Sequence, residues 1–287
     1  MGMDEKFLSV IIAAYQAEEY IERCIRSVYR AMPEKLADAV EVIVIDDAST
    51  DKTAERAEGL HLPIRLIRVG QNCGSIAKTR NIGLRAAHSR YLTFLDADDY
   101  YADGAVAALI GYLKEYTPDI ARFGYTEVYP PDYRTKIPYW NPRSFRLVKK
   151  EDFKSEVYPQ LIGGIGLNSV CLAAFQRRML GTLCFPEDFL TAEDVAFSIE
   201  AYTAAQSVLF LPDRLYCYFQ TGKGLTGAGT GILKKYHYNF MLVLRMLKKL
   251  PKWGLAAPRW YLKTMLRPFV ITLDKIKRMK NDTAAMG

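Results

Sequence analysis

The N-terminal third of the chain repeats one pattern: a short apolar run is followed by a stretch with apolar residues at helical spacing. The first run is Phe7–Ala14, and its helical partner extends from about Ala17 to Ala31. Uninterrupted apolar runs are typical of strands buried on both faces of a sheet, and the alternation indicates βαβ units with right-handed crossovers. We therefore predict an α/β fold of the Rossmann type, with a mostly parallel central sheet and helices on both faces.

The same periodicities predict the other elements of this region. They are strands at Val40–Ile45, Ile64–Val69 and Tyr91–Leu95, helices at Ser49–Leu60 (with a Ser or Thr cap) and Ser75–Ala87, and a helix containing Val106, Leu109, Ile110 and Leu113.

Beyond Tyr116 the pattern is less regular, and the predictions are shorter. They are strands at Ile120–Tyr129, Val170–Phe175, Ser207–Leu211 and Leu215–Phe219, a helix at Ala192–Ala205, buried strand and loop in the uncharged stretch Val157–Gln176, and a flexible glycine-rich loop at 221–231.

Charge divides the chain into two parts. Residues 1–231 contain 26 Lys and Arg against 30 Asp and Glu, whereas residues 232–287 contain 13 against 2. Five cysteines without a CxxC pair favour a reducing compartment over a disulfide framework or a zinc site. The N-terminus lacks the apolar core and small-residue cleavage site of a signal peptide, so we expect a cytoplasmic protein.

Carboxylates lie where two predicted neighbouring strands end. Asp46 and Asp47 close the second strand, and Asp96 and Asp98 close the fourth. In an open parallel sheet these ends lie side by side at the ligand-binding edge. Two carboxylates together with substrate phosphates suit Mg²⁺ or Mn²⁺, which prefer oxygen ligands. The alternative is that strand-ending aspartates only form turns and cap helices.

Five segments together resemble the successive motifs of the family 2 glycosyltransferases, which have a GT-A fold. The similarity is dense over Leu8–Tyr101 and looser as far as about Thr226. The segments are SVIIAAYQAEEYIERCIRSV, VIVIDDASTDKTAE, NCGSIAKTRNIGLRAA, YLTFLDADDYY and TAEDVAF.

The resemblance implies a domain at 1–231, with a nucleotide-binding part at about 7–101 and an acceptor part at about 102–231. It implies an inverting, metal-dependent transferase that uses a nucleotide sugar, with UDP favoured, and a glycan or polyprenyl-linked acceptor. The products would be cell-surface polysaccharide or glycoconjugate.

Site residues follow from the same resemblance. Tyr15, beside Ala14, would pack on the nucleobase, and Asp46 or Asp47 would bond its imide edge. Glu18 would lie near the nucleotide, or simply complement a helix dipole. Arg80 would face the diphosphate or ribose, or form an ion pair on the helix surface.

The D-x-D motif and a later acidic pair complete the expected site. Asp96 and Asp98 would hold ribose and metal, with Asp98 favoured as the metal ligand. Asp194 would be the general base that takes the proton from the acceptor hydroxyl. A competing interpretation makes Thr191 and Asp194 a capping box at the start of a helix.

The chain also departs from the family pattern. Ala13, Gln16 and Cys73 stand where Pro, Asn and Gly are common, which weakens inference about the nucleotide. The usual arginine near Gln220–Thr226 is absent, and Lys223 is a candidate substitute.

Other function classes fit the sequence less well. A nucleotidyltransferase would show a glycine-rich basic loop after the first strand, and a dinucleotide oxidoreductase would show G-x-G-x-x-G there. A nucleic-acid binder leaves the metal carboxylates unexplained, so we expect no nucleic-acid partner. A catalytically silent, sugar-nucleotide-binding scaffold protein stays an alternative.

The C-terminal region, 232–287, is predicted to be a basic amphipathic helical tail. Apolar residues recur at helical spacing with Lys and Arg between them, Trp253 and Trp260 lie at the margins, and Pro268 is expected to kink the second helix. Such helices suit an anionic membrane interface, which predicts peripheral attachment. The alternatives are that the apolar face packs on the domain or serves a dimer, so the oligomeric state stays open.

Overall fold

The alternating pattern folds as strands and helices in the predicted order. The protein is represented by a computed structural model that describes residues 6–138, 141–164, 166–221 and 232–268. The first elements are β1 (Leu8–Ala14), α1 (Ile21–Arg30), β2 (Val40–Asp46), α2 (Thr53–Glu58), β3 (Ile64–Arg68), α3 (Ile76–Ala86), β4 (Tyr91–Asp96), β5 (Tyr100–Tyr101) and α4 (Ala105–Tyr116).

The second half has shorter and more varied elements. They are β6 (Ile120–Tyr129), β7 (Arg134–Lys136), β8 (Arg146–Lys149), α5 (Phe153–Glu156), α6 (Tyr158–Gly163), β9 (Ala173–Gln176), α7 (Arg177–Leu180), α8 (Glu193–Ala204), β10 (Ser207–Phe219) and α9 (Ile232–Lys249).

The described strands form one sheet in the order β3-β2-β1-β4-β9-β6-β10-β5, with β7 on β6 and β8 on β10. Strands β3, β2, β1 and β4 pair in parallel, as do β6 and β10. The short strand β9 runs antiparallel to both β4 and β6 and joins the two parallel groups. The predicted α/β fold on a central sheet is confirmed, and its regular parallel part coincides with the regular part of the sequence pattern.

Helices α1 and α3 cover opposite faces of the parallel group. The connection from β1 to β2 and the one from β3 to β4 run in opposite directions along the sheet, and right-handed crossovers then place their helices on opposite sides. Helix α3 lies very close to the sheet because Gly83 has no side chain. A Cβ there would be 2.3 Å from Ile11 Cγ2 and 2.8 Å from Ile45 Cδ1. This close packing fixes the position of Arg80 on the same helix.

Three of the sequence predictions need correction. The helix expected at Ser49–Leu60 is Thr53–Glu58, without a side-chain cap, because the residues before it form a bonded loop. The two strands expected between Ser207 and Phe219 are the single strand β10, which passes Pro212 with shifts of register. A proline is tolerated at such an irregularity because the ladder is already interrupted there.

The stretch Val157–Gln176 contains more helix than expected. Residues Tyr158–Gly163 are helical, and the segment expected as a strand from Val170 begins as a 3-10 turn before β9. A short apolar helix and a short buried strand have the same composition, which explains the error.

The tail begins with α9, and a second helical run covers 258–268. Pro268 is the last described residue, so the predicted kink lies outside the described chain, as do the glycine-rich segment from 222 to 231 and Lys223. The predicted division at residue 231 stays a prediction. No helix within the described ranges is both long and apolar enough to cross a membrane.

Candidate functional site

The carboxyl ends of β2, β1 and β4 bring several predicted site residues to one edge of the sheet. Ala14 pairs in register with Asp46 on one side, and Ala13 pairs with Asp96 on the other. Tyr15 follows directly, and its side chain is 47% exposed beyond the strand end. An exposed aromatic ring beside buried acidic residues offers both a flat apolar face and hydrogen-bond acceptors.

Asp47 holds the segment that leads into α3. Its carboxylate accepts hydrogen bonds from the Cys73 amide at 2.8 Å and from the Thr79 hydroxyl at 3.0 Å, and the Asn72 side chain is also in contact. Asp46 accepts a bond from the Ser49 amide at 3.3 Å and therefore forms a turn. Both aspartates are buried. The turn-forming interpretation thus describes part of their role.

Glu18 ties the loop after β1 to the loop after β2. Its carboxylate accepts a bond from the Lys52 amide at 3.0 Å, and its own amide donates to Asp51 at 3.1 Å. The side chain of Gln16 also connects the two loops, because it accepts hydrogen bonds from the amides of Thr50 and Asp51. Glu18 therefore supports the rim of the edge where Tyr15 lies.

The D-x-D motif lies at the end of β4, between two different arginines. Asp98 is half-buried, and burial together with the charge of Asp96 raises its pKa to about 6. Its carbonyl oxygen accepts a hydrogen bond of 2.6 Å from Arg23 of α1. The raised pKa reflects burial and the repulsion between the two carboxylates, which the charge of Arg23 only partly opposes.

Arg23 is surrounded by aromatic rings rather than by acids. Its guanidinium carbon lies 3.7 Å from the centre of the Phe219 ring, 4.7 Å from Tyr100 and 5.8 Å from Tyr20. Cation–π attraction and the carbonyl bond hold the side chain in one place. We call Arg23 with these three rings the aromatic cluster.

Arg80 connects the D-x-D motif with the acidic pair at the start of α8. Its guanidinium donates to Asp96 at 2.8 Å, to Glu193 at 2.9 Å and to Asp194 at 2.6 Å. The arginine side chain is only 4% exposed. Burial alone would lower its pKa, but the charges of Asp194 and Asp96 outweigh burial and raise it. The arginine is therefore a permanent cation, and we call it with its three acids the Arg80 network.

One acid of the Arg80 network retains a proton. Burial raises the pKa of Glu193 to about 9, the charge of Asp194 adds to this effect, and Arg80 opposes it. Three ionised carboxylates around one guanidinium would leave a buried excess of negative charge, which is costly. The network therefore favours a proton on Glu193 over a third buried negative charge.

Asp99, the residue after the motif, is turned into the protein. The Tyr216 hydroxyl and the Phe219 amide both donate to its carboxylate, the latter at 2.7 Å. Burial raises its pKa, and the charges of Asp96 and Asp98 raise it further. Asp99 therefore joins the D-x-D loop to β10 and is not available to a ligand.

The first turn of α8 is not a capping box. The residue before the helix is Ala192, with a left-handed φ of 66°, and no side chain caps the helix. A non-glycine residue there is strained, and Gln16 and Ala48 at the sheet edge share this conformation. The capping interpretation of Thr191 and Asp194 is wrong, because Asp194 bonds Arg80 instead.

A groove of about 580 Å³ lies apart from this edge, on the side of β5, β6 and β10. Its lining includes Tyr100, Tyr133, Asp213 and Arg214 but none of the predicted site residues. Tyr100 also belongs to the aromatic cluster, and the Tyr133 ring lies 6.0 Å from that of Phe219, so the groove adjoins the cluster.

The metal prediction can be compared with the ligands that are present. Among the residues the structure describes, no three His, Cys, Asp or Glu side chains form a group that could hold a metal ion. Asp96 and Asp98 remain, and Arg80 contacts one Asp96 oxygen, which leaves the other free of that bond. Two carboxylates fit Mg²⁺ or Mn²⁺ when substrate phosphate and water complete the shell, and the charge repulsion at Asp98 favours a cation.

Sequence reasoning missed Arg23, Tyr216 and the contact of Cys171 with Arg80. An arginine between the apolar positions of a helix resembles any solvated residue, and a tyrosine in a strand resembles core. Glu193, which also accepts a bond from Arg80, stood next to the expected base but was not assigned a role. The contacts of Arg80 with Asp96 and Asp194 could have been inferred only from two helices and a strand meeting in space.

The family model described as "Glycosyl transferase family 2" matches residues 9–183. The chain is 30% identical over 223 residues to the uncharacterized glycosyltransferase EpsJ of Bacillus subtilis (strain 168), covering 76% of this chain and 62% of that protein. It is 27% identical over 223 residues to the poly(ribitol-phosphate) beta-N-acetylglucosaminyltransferase TarS of Staphylococcus aureus (strain Mu50 / ATCC 700699), covering 75% of this chain and 36% of TarS.

The fold is also similar to a solved structure. The crystal structure of S. aureus TarS 1–349 in complex with UDP-GlcNAc superimposes with a TM-score of 0.73 at 22% identity, covering 92% of this chain and 72% of that one. This similarity extends the match in fold beyond residue 183.

Proposed function

The chain belongs to glycosyltransferase family 2, and from that premise we propose that it transfers a sugar from a nucleotide-sugar donor to an acceptor hydroxyl. The Arg80 network carries the proposal. It joins Asp96 of the D-x-D motif to Asp194, so the expected donor side and the expected base share one buried cation. A silent scaffold has no need of a charged link between two such groups.

The donor would lie across the carboxyl ends of β1, β2 and β4. We propose that the exposed ring of Tyr15, beside Ala14, stacks on the base and that Asp46 or Asp47 bonds its polar edge. Glu18 keeps the neighbouring loops in place. UDP is the proposed nucleotide, and the UDP-GlcNAc in the TarS complex supports that choice.

Asp98 and Asp96 would hold a divalent cation together with the donor diphosphate. When bound, such a cation would supply positive charge to the departing diphosphate. The residues themselves supply two carboxylates whose mutual repulsion is relieved by a cation, and Arg23 holds the Asp98 carbonyl so that the loop keeps its shape.

Asp194 is the proposed general base. Its carboxylate takes the proton of the acceptor hydroxyl as the acceptor oxygen bonds the anomeric carbon and the bond from that carbon to the diphosphate breaks. Attack opposite the leaving group inverts the anomeric configuration. Arg80 holds Asp194 in position, and protonated Glu193 limits the negative charge around it.

The acceptor is proposed to be a glycan or a polyprenyl-linked saccharide, in synthesis of a cell-surface polymer. The polymer in the printed name of TarS supports this class of acceptor. The loops that would select the sugar lie in the irregular second half of the chain. The predicted cytoplasmic location stays a prediction.

The proposal can be tested by measuring thermal stabilisation with UDP-, GDP-, dTDP- and CMP-sugars, with and without Mn²⁺. We expect a metal-dependent rise in melting temperature with UDP-sugars, which Asp98→Ala abolishes and Asp103→Ala, an exposed carboxylate nearby, retains. Release of UDP should disappear in Asp194→Asn while donor stabilisation persists. Stabilisation without turnover in wild type on any offered acceptor would favour the scaffold, and release of pyrophosphate would favour a nucleotidyltransferase.

A further inference from the structure

One face of α9 is fixed to the body of the protein. Tyr238, Leu242, Met246 and Leu250 are buried along it. Lys249 forms an ion pair of 2.7 Å with Glu200 of α8. This part of the amphipathic pattern is thus used for packing on the domain, which is one of the three interpretations of the tail sequence.

Beyond the helix, Trp253 continues this attachment. Its indole nitrogen donates to the Thr203 hydroxyl at 2.9 Å, and its ring stacks on Tyr158 at a centroid distance of 4.6 Å. The tail is therefore held by α8 at two points, which fixes the face of α9 that points away from the domain.

A second apolar stripe on α9 faces outward. Tyr236, Phe240 and Leu244 recur every four residues, which places them in one row along the helix. The helical run 258–268 adds a similar group. The six side chains, each between 42% and 59% exposed, are Tyr236, Phe240, Leu244, Leu262, Met265 and Leu266. We call these six the outer apolar stripe.

The outer apolar stripe is unusual for this protein. Its six members are more than half of the eleven large apolar side chains that are exposed in the described chain. Scattered exposed apolar residues need no explanation, but a concentration of them marks an interaction surface.

The segment that carries the stripe has charges of one sign. Residues 232–268 contain nine Lys and Arg and no Asp or Glu. The exposed basic residues that accompany the stripe are Lys234, Lys248, Lys252, Arg259 and Lys263. An apolar row within a purely basic region has both features that favour an anionic lipid surface.

We propose that the outer apolar stripe and its basic neighbours bind the surface of an anionic phospholipid bilayer. The apolar side chains would enter the boundary between headgroups and acyl chains, and the lysines and arginines would contact lipid phosphates. A second copy of this chain fits less well, because a twofold contact would bring the same uncompensated cations together.

The test is cosedimentation of the full chain with vesicles of phosphatidylcholine alone and of phosphatidylcholine mixed with phosphatidylglycerol. We expect binding only to the anionic vesicles, and we expect it to weaken as salt rises. Phe240→Ser/Leu244→Ser should lower the partition coefficient about tenfold or more, because two large side chains leave the interface. Ile137→Ser/Leu190→Ser, which changes exposed apolar residues elsewhere, should bind like wild type.

Two double variants that remove lysine charges separate the electrostatic contribution to vesicle binding from the apolar one. Lys248→Gln/Lys252→Gln should reduce partitioning about tenfold, whereas Lys35→Gln/Lys149→Gln, also exposed, should not. All four variants alter exposed side chains, and unchanged melting temperatures confirm that they fold. Equal binding to neutral vesicles, no binding to anionic vesicles at low salt, or wild-type binding by both test variants would overturn the proposal. So would a dimer in light scattering that dissociates on Phe240→Ser/Leu244→Ser without vesicle binding, or a preference of the stripe for RNA over vesicles.

Discussion

The D-x-D loop is supported from two sides by arginines in opposite surroundings. Arg80, on α3, contacts three carboxylates, whereas Arg23, on α1, lies among three aromatic rings and bonds a carbonyl. Because α1 and α3 cover opposite faces of the sheet, the loop is held by charge on one face and by packing on the other. Arginine thus balances the charge of the carboxylates at Arg80, whereas at Arg23 it holds the conformation of the loop.

This difference has a consequence for substitution. Removing Arg80 leaves buried negative charges without a partner, so its loss should be felt throughout the site. Removing Arg23 leaves a carbonyl and three rings, which cost less to leave unpaired. The predictions below separate these two kinds of support, from the largest effect to the smallest.

The largest effect is expected for Arg80→Met. The change keeps length but removes the cation from three acids, which should lower the free energy of unfolding by about 3–5 kcal/mol and abolish turnover. Urea denaturation gives the loss, and Arg85→Met, an exposed position on the same helix, provides the control. A loss under about 1 kcal/mol would mean that the acids rearrange or take up protons without Arg80.

The next effect concerns pH. Glu193 has a folded pKa of about 9, above the ordinary value of 4.5, so the folded state binds this proton more tightly. Its contribution to stability is complete below the ordinary value and is lost as pH rises through about 9. We expect the melting temperature to fall between pH 6 and pH 9 and to fall less in Glu193→Gln, whose amide does not titrate. An equal fall of the melting temperature in wild type and in Glu193→Gln would mean that titratable groups other than Glu193 cause it.

A smaller effect is expected for Arg23→Met. Loss of the carbonyl bond and the cation–π contacts should cost about 1–3 kcal/mol. It should also weaken Mn²⁺ binding in the presence of donor, because the Asp98 loop is less well fixed. Isothermal titration measures the metal affinity, with Arg26→Met as the control on the exposed side of α1. Full metal affinity in Arg23→Met would show that the loop keeps its shape without the aromatic cluster.

The smallest effect is expected for Tyr216→Phe. The change removes the hydroxyl that donates to Asp99 and accepts a long bond of 3.4 Å from the Asp96 amide, but it keeps the ring, so the unfolding free energy should fall by about 1 kcal/mol. The Asp99 carboxyl keeps the hydrogen bond from the Phe219 amide at 2.7 Å, so it is not left without a partner. Thermal denaturation with Tyr218→Phe as a comparison gives the value. A loss as large as that of Arg80→Met would place Asp99 in the same charge balance.

The elements that sequence analysis predicted well are those with one strong signal. Strand β1 is an unbroken apolar run, and α1 shows buried Ile21, Cys24, Ile25 and Val28 at helical spacing. Such patterns reflect burial on known faces, which local sequence records directly. Strand β10 was harder, because Pro212 interrupts its pattern while the pairing continues on both sides.

The sequence predicted which residues lie at the edge of the sheet but not which side chains contact one another there. The strand ends placed Ala14, Asp46 and Asp96 together, because neighbouring parallel strands finish at one edge. The contact of Arg80 with Asp194 joins residues 114 positions apart, and no local pattern encodes such a distance. The left-handed conformation of Ala192 was equally hidden, since alanine gives no sign of a positive φ.

Helix α8 has a consequence for the acceptor. Its first turn carries Asp194, and Glu200 and Thr203 near its other end hold α9 and Trp253. At about 1.5 Å per residue, the base lies about 9 Å from Glu200 and about 14 Å from Thr203 along the helix. If the tail rests on lipid, this helix fixes the height at which chemistry occurs above the bilayer. A membrane-linked acceptor would then be selected by the length of its saccharide. Turnover of acceptors with saccharides of increasing size on one lipid should therefore pass through an optimum, whereas the same saccharides without the lipid should show none.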